Sequence, residues 1–293
     1  MLTSSFLRQV EVSLGQKLRQ KLHIKRVTPL SGGSINLSAK IDTSAGVFFM
    51  KANDAFRYPL MFENEAKGLS VLSEAAIFTV PEVIMTGEAE GQAFIILKFI
   101  ESKLSKMGFW ECFGVSLAKI HRFSAQRYGF TEDNYIGSLR QSNKEHNNWA
   151  DFFIEERIEK QLAIARRNGT LLSEDVDRFK RVYSKIDSLI PIESPALLHG
   201  DLWNGNYITG SEGEPCLIDP AIYYGHREMD ISMTRLFGGF DPAFYDAYHA
   251  EFPLAPGFEE RSDIHNLYPL LVHINLFGGD YIKQVRSILR RFN

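Results

Sequence analysis

The hydrophobic pattern of this chain changes period once, near residue 100, and no other feature constrains the fold as much. Ahead of that point, short apolar runs are punctuated by turn residues. "IKRVTPLS" (24–31), "INLSAKID" (35–42) and "GVFFMKA" (46–52) read as strands separated by "GGS" and "TSAG" turns. "PEVIMTG" and "AFIILKFI" read as two more. A first helix carries Phe6, Leu7, Val10, Leu14, Leu18 and Leu22 at spacings of three or four, and a second covers 59–76 with Pro59 near its start. Beyond Glu101 the period is mostly helical, at about 105–123, 148–168, 173–188 and several segments after 228. "NYIT" and "PCLI" are the exception and look like two short strands. Strands first and helices after imply an α+β chain with two lobes. The boundary falls near Phe99–Lys103, giving a small strand-rich lobe, 1–98, and a larger, mainly helical one, 99–293.

Composition narrows the function. A net charge of −3 offers nothing to a nucleic acid or an acidic membrane, so neither is expected as a partner. No apolar run approaches a membrane span, since "AFIIL" stops at Lys98, and the first residues lack a signal-peptide core. Cys112 and Cys216 lie far apart and read as free thiols in a reducing cytosol, which places the chain in the cytoplasm. The eight histidines show neither HExxH nor a paired spacing with cysteine, so no zinc site is expected.

The chemistry concentrates in "LLHGDLWNGNYITGSEGEPCLIDPA" (197–221). His199 to Asn206 fit H-x-D-L-x-x-x-N, the spacing of the kinase catalytic loop, and Asp219 follows in "LIDP". Phosphoryl transfer from ATP needs metal-bridged phosphates and an oriented hydroxyl. Asn206 offers an amide oxygen and Asp219 a carboxylate, the hard ligands Mg2+ prefers. Asp201 can hold the attacking hydroxyl and accept its proton. Asp and Asn between short strands are often only turn formers, and Asn204 and Gly205 read that way. His199 reads as a brace for the loop.

A kinase reading makes upstream demands. "GVFFMKA" supplies Lys51, and the helix from Pro59 supplies Glu65, with Glu63 as alternative, to hold that lysine against the α- and β-phosphates. The turn "SGGS", with Gly32, Gly33 and Ser34, is either a phosphate-covering loop or an ordinary hairpin turn. Backbone groups of Leu97, Lys98 and Phe99 are placed to meet an adenine edge. Gly200 replaces the arginine of the protein-kinase H-R-D, Asp230 follows Asp219 by eleven residues, and no A-P-E follows. Such a chain has little room for a peptide-docking segment, so its acceptor is a small molecule or a small modification on a larger one.

The chain resembles the fructosamine kinase (ketosamine-3-kinase) family, within the protein-kinase-like and aminoglycoside phosphotransferase group. The resemblance is carried by "LLHGDLWNGN" (197–206), "IDPAIYYGHREMD" (218–230), "NNWADFFIEERIEKQL" (147–162), "GGSINLSAKIDTSAGVFFMKAN" (32–53) and "LFGGDYI" (276–282). It implies a protein-kinase-like fold and MgATP-dependent phosphorylation of the 3-hydroxyl of a ketosamine, free or protein-bound, leading to deglycation; apart from the resemblance, a monomer is expected. It also implies Asp201 as proton acceptor, Lys51 and Glu65 as the phosphate-binding pair, and Asn206 and Asp219 as metal ligands. By the same resemblance Trp203 meets the sugar or its amine, the alternative being a core tryptophan that supports the loop, and Tyr223, Tyr224, His226 and Glu228 line the acceptor side. Trp149, Phe152 and Phe153, at helical spacing, read as core, and Asp230 as an anchor accepting backbone hydrogen bonds from the catalytic loop. Three positions depart from the family pattern: Lys98 where an acidic residue is common, Ser34 where some relatives carry cysteine, and Asn204 where a small residue is common. Two other readings stay open, a kinase of an aminoglycoside- or choline-like alcohol and a nucleotide-binding pseudokinase.

Overall fold

Five antiparallel strands form one sheet, β1 (Ile24–Pro29), β2 (Leu37–Thr43), β3 (Gly46–Asp54), β4 (Val83–Ala89) and β5 (Gln92–Lys98), in the order β1-β2-β3-β5-β4. The structure is a computed structural model and describes residues 2–30 and 35–292. The turn with Gly32, Gly33 and Ser34 therefore lies outside the described residues. The chain divides into two units, Met1–Met107 with Tyr207–Asp219, and Gly108–Asn206 with Pro220–Asn293.

In the first unit a helix covers each face of the sheet, which is why β5 is a continuous apolar run rather than an alternating one. Phe94 and Ile96 pack with Phe6, Val10 and Leu14 of α1 (Ser4–Lys17), while Ala93, Ile95 and Leu97 pack with Phe62 and Leu69 of α2 (Met61–Glu74). The α1 helix stops short of Leu22 because Arg19 turns to φ 54, yet Leu22 still reaches the core. The strands Tyr207–Thr209 and Pro215–Leu217 form a hairpin held to this unit by the Leu217 N–H, which donates to the Thr79 carbonyl at 3.0 Å.

The second unit is mainly helical: α3 (Phe109–Ile120), α4 (Trp149–Phe152), α5 (Glu159–Arg167), α6 (Ser173–Leu189), α7 (Glu228–Leu236), α8 (Pro242–Glu251), α9 (Phe258–Phe277) and α10 (Tyr281–Arg291). The start expected near 105 moves to Phe109 because Gly108, at φ 77, caps the helix. The single helix expected over 148–168 is interrupted by a π-helical turn, Phe153–Ile158, between α4 and α5. That wide turn sends Phe153, Glu156, Arg157 and Ile158 inward together, more side chains than one face of an α-helix would bury. Arg157 is wholly enclosed, its guanidinium 3.9 Å from the Tyr223 ring centroid and 4.5 Å from that of Phe152. Trp149, Phe152 and Phe153 belong to the core, as expected, with Ile264, Leu267 and Leu271 of α9. Two strand pairs escape the sequence pattern, Asn134–Ile136 with Leu139–Gln141, and Ala196–Leu198 with Tyr223–Gly225. Among the described residues no helix is long and apolar enough to cross a membrane.

Candidate active site

In the first unit β3 carries Lys51 inward, and its Nζ stands 2.8 Å from Glu65 Oε1 and 2.6 Å from Asp219 Oδ1. Burial alone would lower the lysine pKa, but the Asp219 and Glu65 carboxylates outweigh it and hold the ammonium well above the ordinary lysine range. Glu65, and not Glu63, is the helix partner of this lysine. Asp219 sits at φ 54, in the left-handed region that aspartate tolerates better than most residues, with its side chain 43% exposed. A backbone strained in this way beside a buried cation is a common mark of a working site.

Leu97 is buried, and Lys98 is exposed near Glu82. The Lys98 N–H donates to the Glu82 carbonyl at 2.9 Å and the Phe99 N–H to the Val47 carbonyl at 3.4 Å. Both amides are thus engaged within the first unit.

In the second unit the loop from His199 to Asn206 is held by a buried carboxylate. Asp230 Oδ2 accepts the His199 N–H at 2.7 Å and Oδ1 accepts the Gly200 N–H at 3.0 Å, the anchoring role expected of it. His121 Nε2 lies 3.3 Å from the same Oδ2, and its Nδ1 lies 2.7 Å from the Tyr248 hydroxyl, which also accepts from Arg227 Nη1 at 3.3 Å. Burial, more than any other influence, raises the Tyr248 phenol above its usual range, which keeps its proton available for His121. The Asp201 N–H donates to His199 Nδ1 at 3.3 Å, so His199 does brace the loop. Asn206 Nδ2 donates to both the Asp201 carbonyl and Asp201 Oδ2 at 2.8 Å, which fixes the amide group and leaves its oxygen for a ligand. A further layer fixes the segment just after Asp219: Gln141 Nε2 donates to the Ala221 carbonyl at 3.0 Å and Asn134 Nδ2 to the Ile222 carbonyl at 2.8 Å. No local spacing announces His121, Tyr248, Asn134 or Gln141, because their contacts span 80 to 127 residues of sequence.

Trp203 is 36% exposed and meets Phe237 edge to face at 6.1 Å between ring centroids, so one part of the indole packs and another is open. Asn204 Nδ2 reaches the Phe237 and Gly239 carbonyls at 3.4 and 3.3 Å. Three residues expected on the acceptor side are instead enclosed. Tyr223 is fully buried under Arg157. His226 Nε2 donates to the Pro191 carbonyl at 3.1 Å, and burial brings its pKa down to about 4. Glu228 accepts from Arg261 Nη2 at 2.6 Å and from His265 Nε2 at 3.2 Å. Burial would raise the Glu228 carboxyl, but these hydrogen bonds outweigh it and bring it down to about 2. Closed off from solvent and saturated by internal partners, these side chains cannot meet an acceptor. Tyr224, half-buried, lies 6.4 Å from Phe130 between ring centroids.

A five-stranded unit carrying a buried lysine with two carboxylates, and a helical unit carrying an anchored H-x-D loop, define a kinase-like phosphotransferase of the α+β class. The model of the family described as fructosamine kinase matches residues 6–293, and the chain belongs to that family. It is 41% identical over 284 residues to "Probable ketoamine kinase" of Vibrio parahaemolyticus, covering 96% of this chain and 97% of that protein. It is 37% identical over 274 residues to the chloroplastic protein-ribulosamine 3-kinase of Arabidopsis thaliana, covering 91% of this chain and 82% of that one. A crystal structure of a candidate fructosamine-3-kinase from Haemophilus somnus superposes with a TM-score of 0.89 at 28% identity, covering 97% of this chain and 96% of that chain.

Proposed function

We propose that this enzyme transfers the γ-phosphoryl group of ATP to the 3-hydroxyl of a ketosamine, with ADP leaving and the hydroxyl proton passing to the Asp201 carboxylate. The observation that carries the phosphotransfer reading is Lys51, buried and paired at 2.8 and 2.6 Å with Glu65 and Asp219. The acceptor class follows from family membership and from the ketoamine and ribulosamine kinase names of the relatives. Lys51 holds the α- and β-phosphates, oriented by Glu65. Asn206 and Asp219 supply an amide oxygen and a carboxylate, a donor set that fits Mg2+. When bound, that ion neutralises phosphate charge. Asp201 orients the hydroxyl, its carboxylate held by Asn206 Nδ2 at 2.8 Å. Backbone groups of Leu97, Lys98 and Phe99 meet an adenine edge, the carbonyls accepting from its amino group while the Lys98 and Phe99 amides stay donated within the first unit. The open part of Trp203 stacks on the sugar or its amine. Residues 1–98 serve as the nucleotide lobe and 99–293 as the catalytic and acceptor lobe, acting as a cytoplasmic monomer.

Phosphate on the third carbon is β to the first, so enolisation toward the first carbon expels it, and hydrolysis then frees the amine. The result is deglycation of a small amine or a protein side chain. The purified protein with MgATP and ribulose- or fructose-modified lysine therefore consumes ATP, then liberates lysine more slowly. Phosphorus NMR of the early product checks the position. A phosphate elsewhere, or reaction only with an aminoglycoside- or choline-like alcohol, would leave the phosphotransferase standing without the ketosamine.

A further inference from the structure

Among the described residues, two clusters bring three metal-ligating side chains together, and they differ in whether the carboxylates are already taken. In the first, His226, Glu228 and His265, Arg261 Nε and Nη2 clasp both Glu228 oxygens at 3.0 and 2.6 Å. A cation there would have to displace a buried guanidinium. In the second, His146, Glu155 and Glu156 each offer a ligand atom within 4.8 Å of the other two.

Glu156 is the informative member. Its side chain is 3% exposed, and Oε1 stands 3.1 Å from His146 Nε2. Oε2 is buried with no hydrogen bond among the described residues. Lys160 Nζ forms an ion pair with Oε2 at 3.7 Å, and the Ser142 hydroxyl donates a hydrogen bond to the carboxylate. A buried carboxylate oxygen whose nearest cation stands beyond hydrogen-bond distance has room for a closer ligand. Glu155 Oε2 lies 3.9 Å from the same His146 nitrogen, and this side chain is 57% exposed. It lines a cavity of about 480 Å³ together with Ser142 and Lys160.

We propose that His146, Glu155 and Glu156 form a binding site for a divalent transition cation of the zinc class. One imidazole nitrogen and two carboxylates suit Zn2+ better than Mg2+, which prefers an all-oxygen shell. The π-helical turn explains how neighbouring residues can serve together. Consecutive side chains on an α-helix point about 100° apart, and the wider turn over Phe153–Ile158 narrows that angle. His146 is fixed from the other side by reciprocal backbone hydrogen bonds with Tyr128 at 2.9 and 3.0 Å. Lys160, 54% exposed, can withdraw into water when the cation arrives. The bound ion would tie the chain after the Leu139–Gln141 strand to the π turn. That strand ends in Gln141, which holds the Ala221 carbonyl at 3.0 Å. The ion stabilises the second unit and takes no part in phosphoryl transfer.

The test is calorimetric titration of the whole chain with ZnCl2 after chelator dialysis, without nucleotide or acceptor, so its outcome is independent of the kinase reading. The unaltered chain binds one Zn2+ and its melting temperature rises with zinc. His146→Gln and Glu155→Gln each weaken that binding by more than the roughly tenfold cost of losing even an outer partner of a metal site. Glu155 is exposed, so Glu155→Gln keeps its metal-free stability and separates ligation from folding. The proposal is overturned if no zinc binds, or if both variants bind it as the unaltered chain does. The cluster is then only the ion pair of His146, Glu156 and Lys160.

Discussion

Replacing Asp230 by asparagine tests whether the catalytic loop is held as its hydrogen bonds indicate. Among the described residues Oδ2 serves two donors, the His199 N–H at 2.7 Å and His121 Nε2 at 3.3 Å, while Oδ1 serves the Gly200 N–H at 3.0 Å. In Asp230→Asn the new amide oxygen would therefore keep the Oδ2 place, and the new NH2 group would face the Gly200 N–H. One charge-assisted bond is lost, worth about 1.5–3 kcal/mol, and a buried donor is left without an acceptor at about 1–3 kcal/mol. Partial relaxation of the loop brings the net cost to about 2–4 kcal/mol. For a chain of this size each kcal/mol moves Tm by about 2–4 °C, so a fall of roughly 5–15 °C is expected. Gly200 precedes Asp201 directly, so the displaced amide also moves the proposed base, and a shift near 1 Å costs on the order of a hundredfold in kcat. The assay pairs a denaturation series with ketosamine phosphorylation at a temperature where the variant is folded. A variant that melts within about 1 °C of the parent and turns over normally would show that Asp230 does not position the loop.

Three other outcomes follow from the same geometry. Asp201→Asn lowers kcat by a factor on the order of a hundred or more while leaving nucleotide affinity and Tm in place, as expected for a positioned general base; near-normal turnover removes that role. Asp219→Asn weakens productive MgATP binding, read as a raised KM for ATP with the acceptor KM unchanged, since the charged ligand to a hard cation is lost. Acid destabilises the fold through His226, whose pKa is brought down to about 4 in the folded chain from the ordinary 6.5. The unfolded chain binds the extra proton first, so this contribution is complete above about pH 6.5 and is lost as pH falls toward 4. Denaturant midpoints at pH 7 and pH 5 read the loss, and His226→Gln flattens the difference unless the assignment is wrong.

Elements whose residues answer to local physics are legible in the sequence. The five strands, α2 and the interior aromatics of 149–153 follow from period and turn chemistry. Lys51, Glu65 and Asp230 can be found because a known spacing tells where to look, and the structure gives them the contacts that spacing requires. Tyr223, His226 and Glu228 are misplaced by the sequence reading for a physical reason. A polar run close to a catalytic loop reads the same whether its side chains face a ligand or one another, and Arg157, Arg261 and His265, which enclose them, lie at least 33 residues away in sequence. The π turn is hidden because "FFIEERIEK" satisfies a helical period, and the burial of Glu156 and Arg157 shows only in the folded chain.

Gly200 ties the sequence departure to the acceptor class. In protein kinases the corresponding position holds an arginine that grips a phosphorylated activation segment. Here Gly200 takes φ 81, and a Cβ on it would stand 2.1 Å from the Ala221 carbonyl oxygen, nearer than any side chain can sit. That carbonyl is held by Gln141 Nε2 at 3.0 Å, and the Ala221 N–H of the same residue donates to the His199 carbonyl at 2.9 Å. The chain after Asp219 thus turns straight back against the catalytic loop and is pinned there, and α7 begins at Glu228. No length remains for a segment that could dock a peptide or be ordered by phosphorylation, and no side chain at 200 could reach one. The glycine and the short return are one feature, and they restrict this active site to an acceptor recognised as a small group, even when that group is carried on a protein.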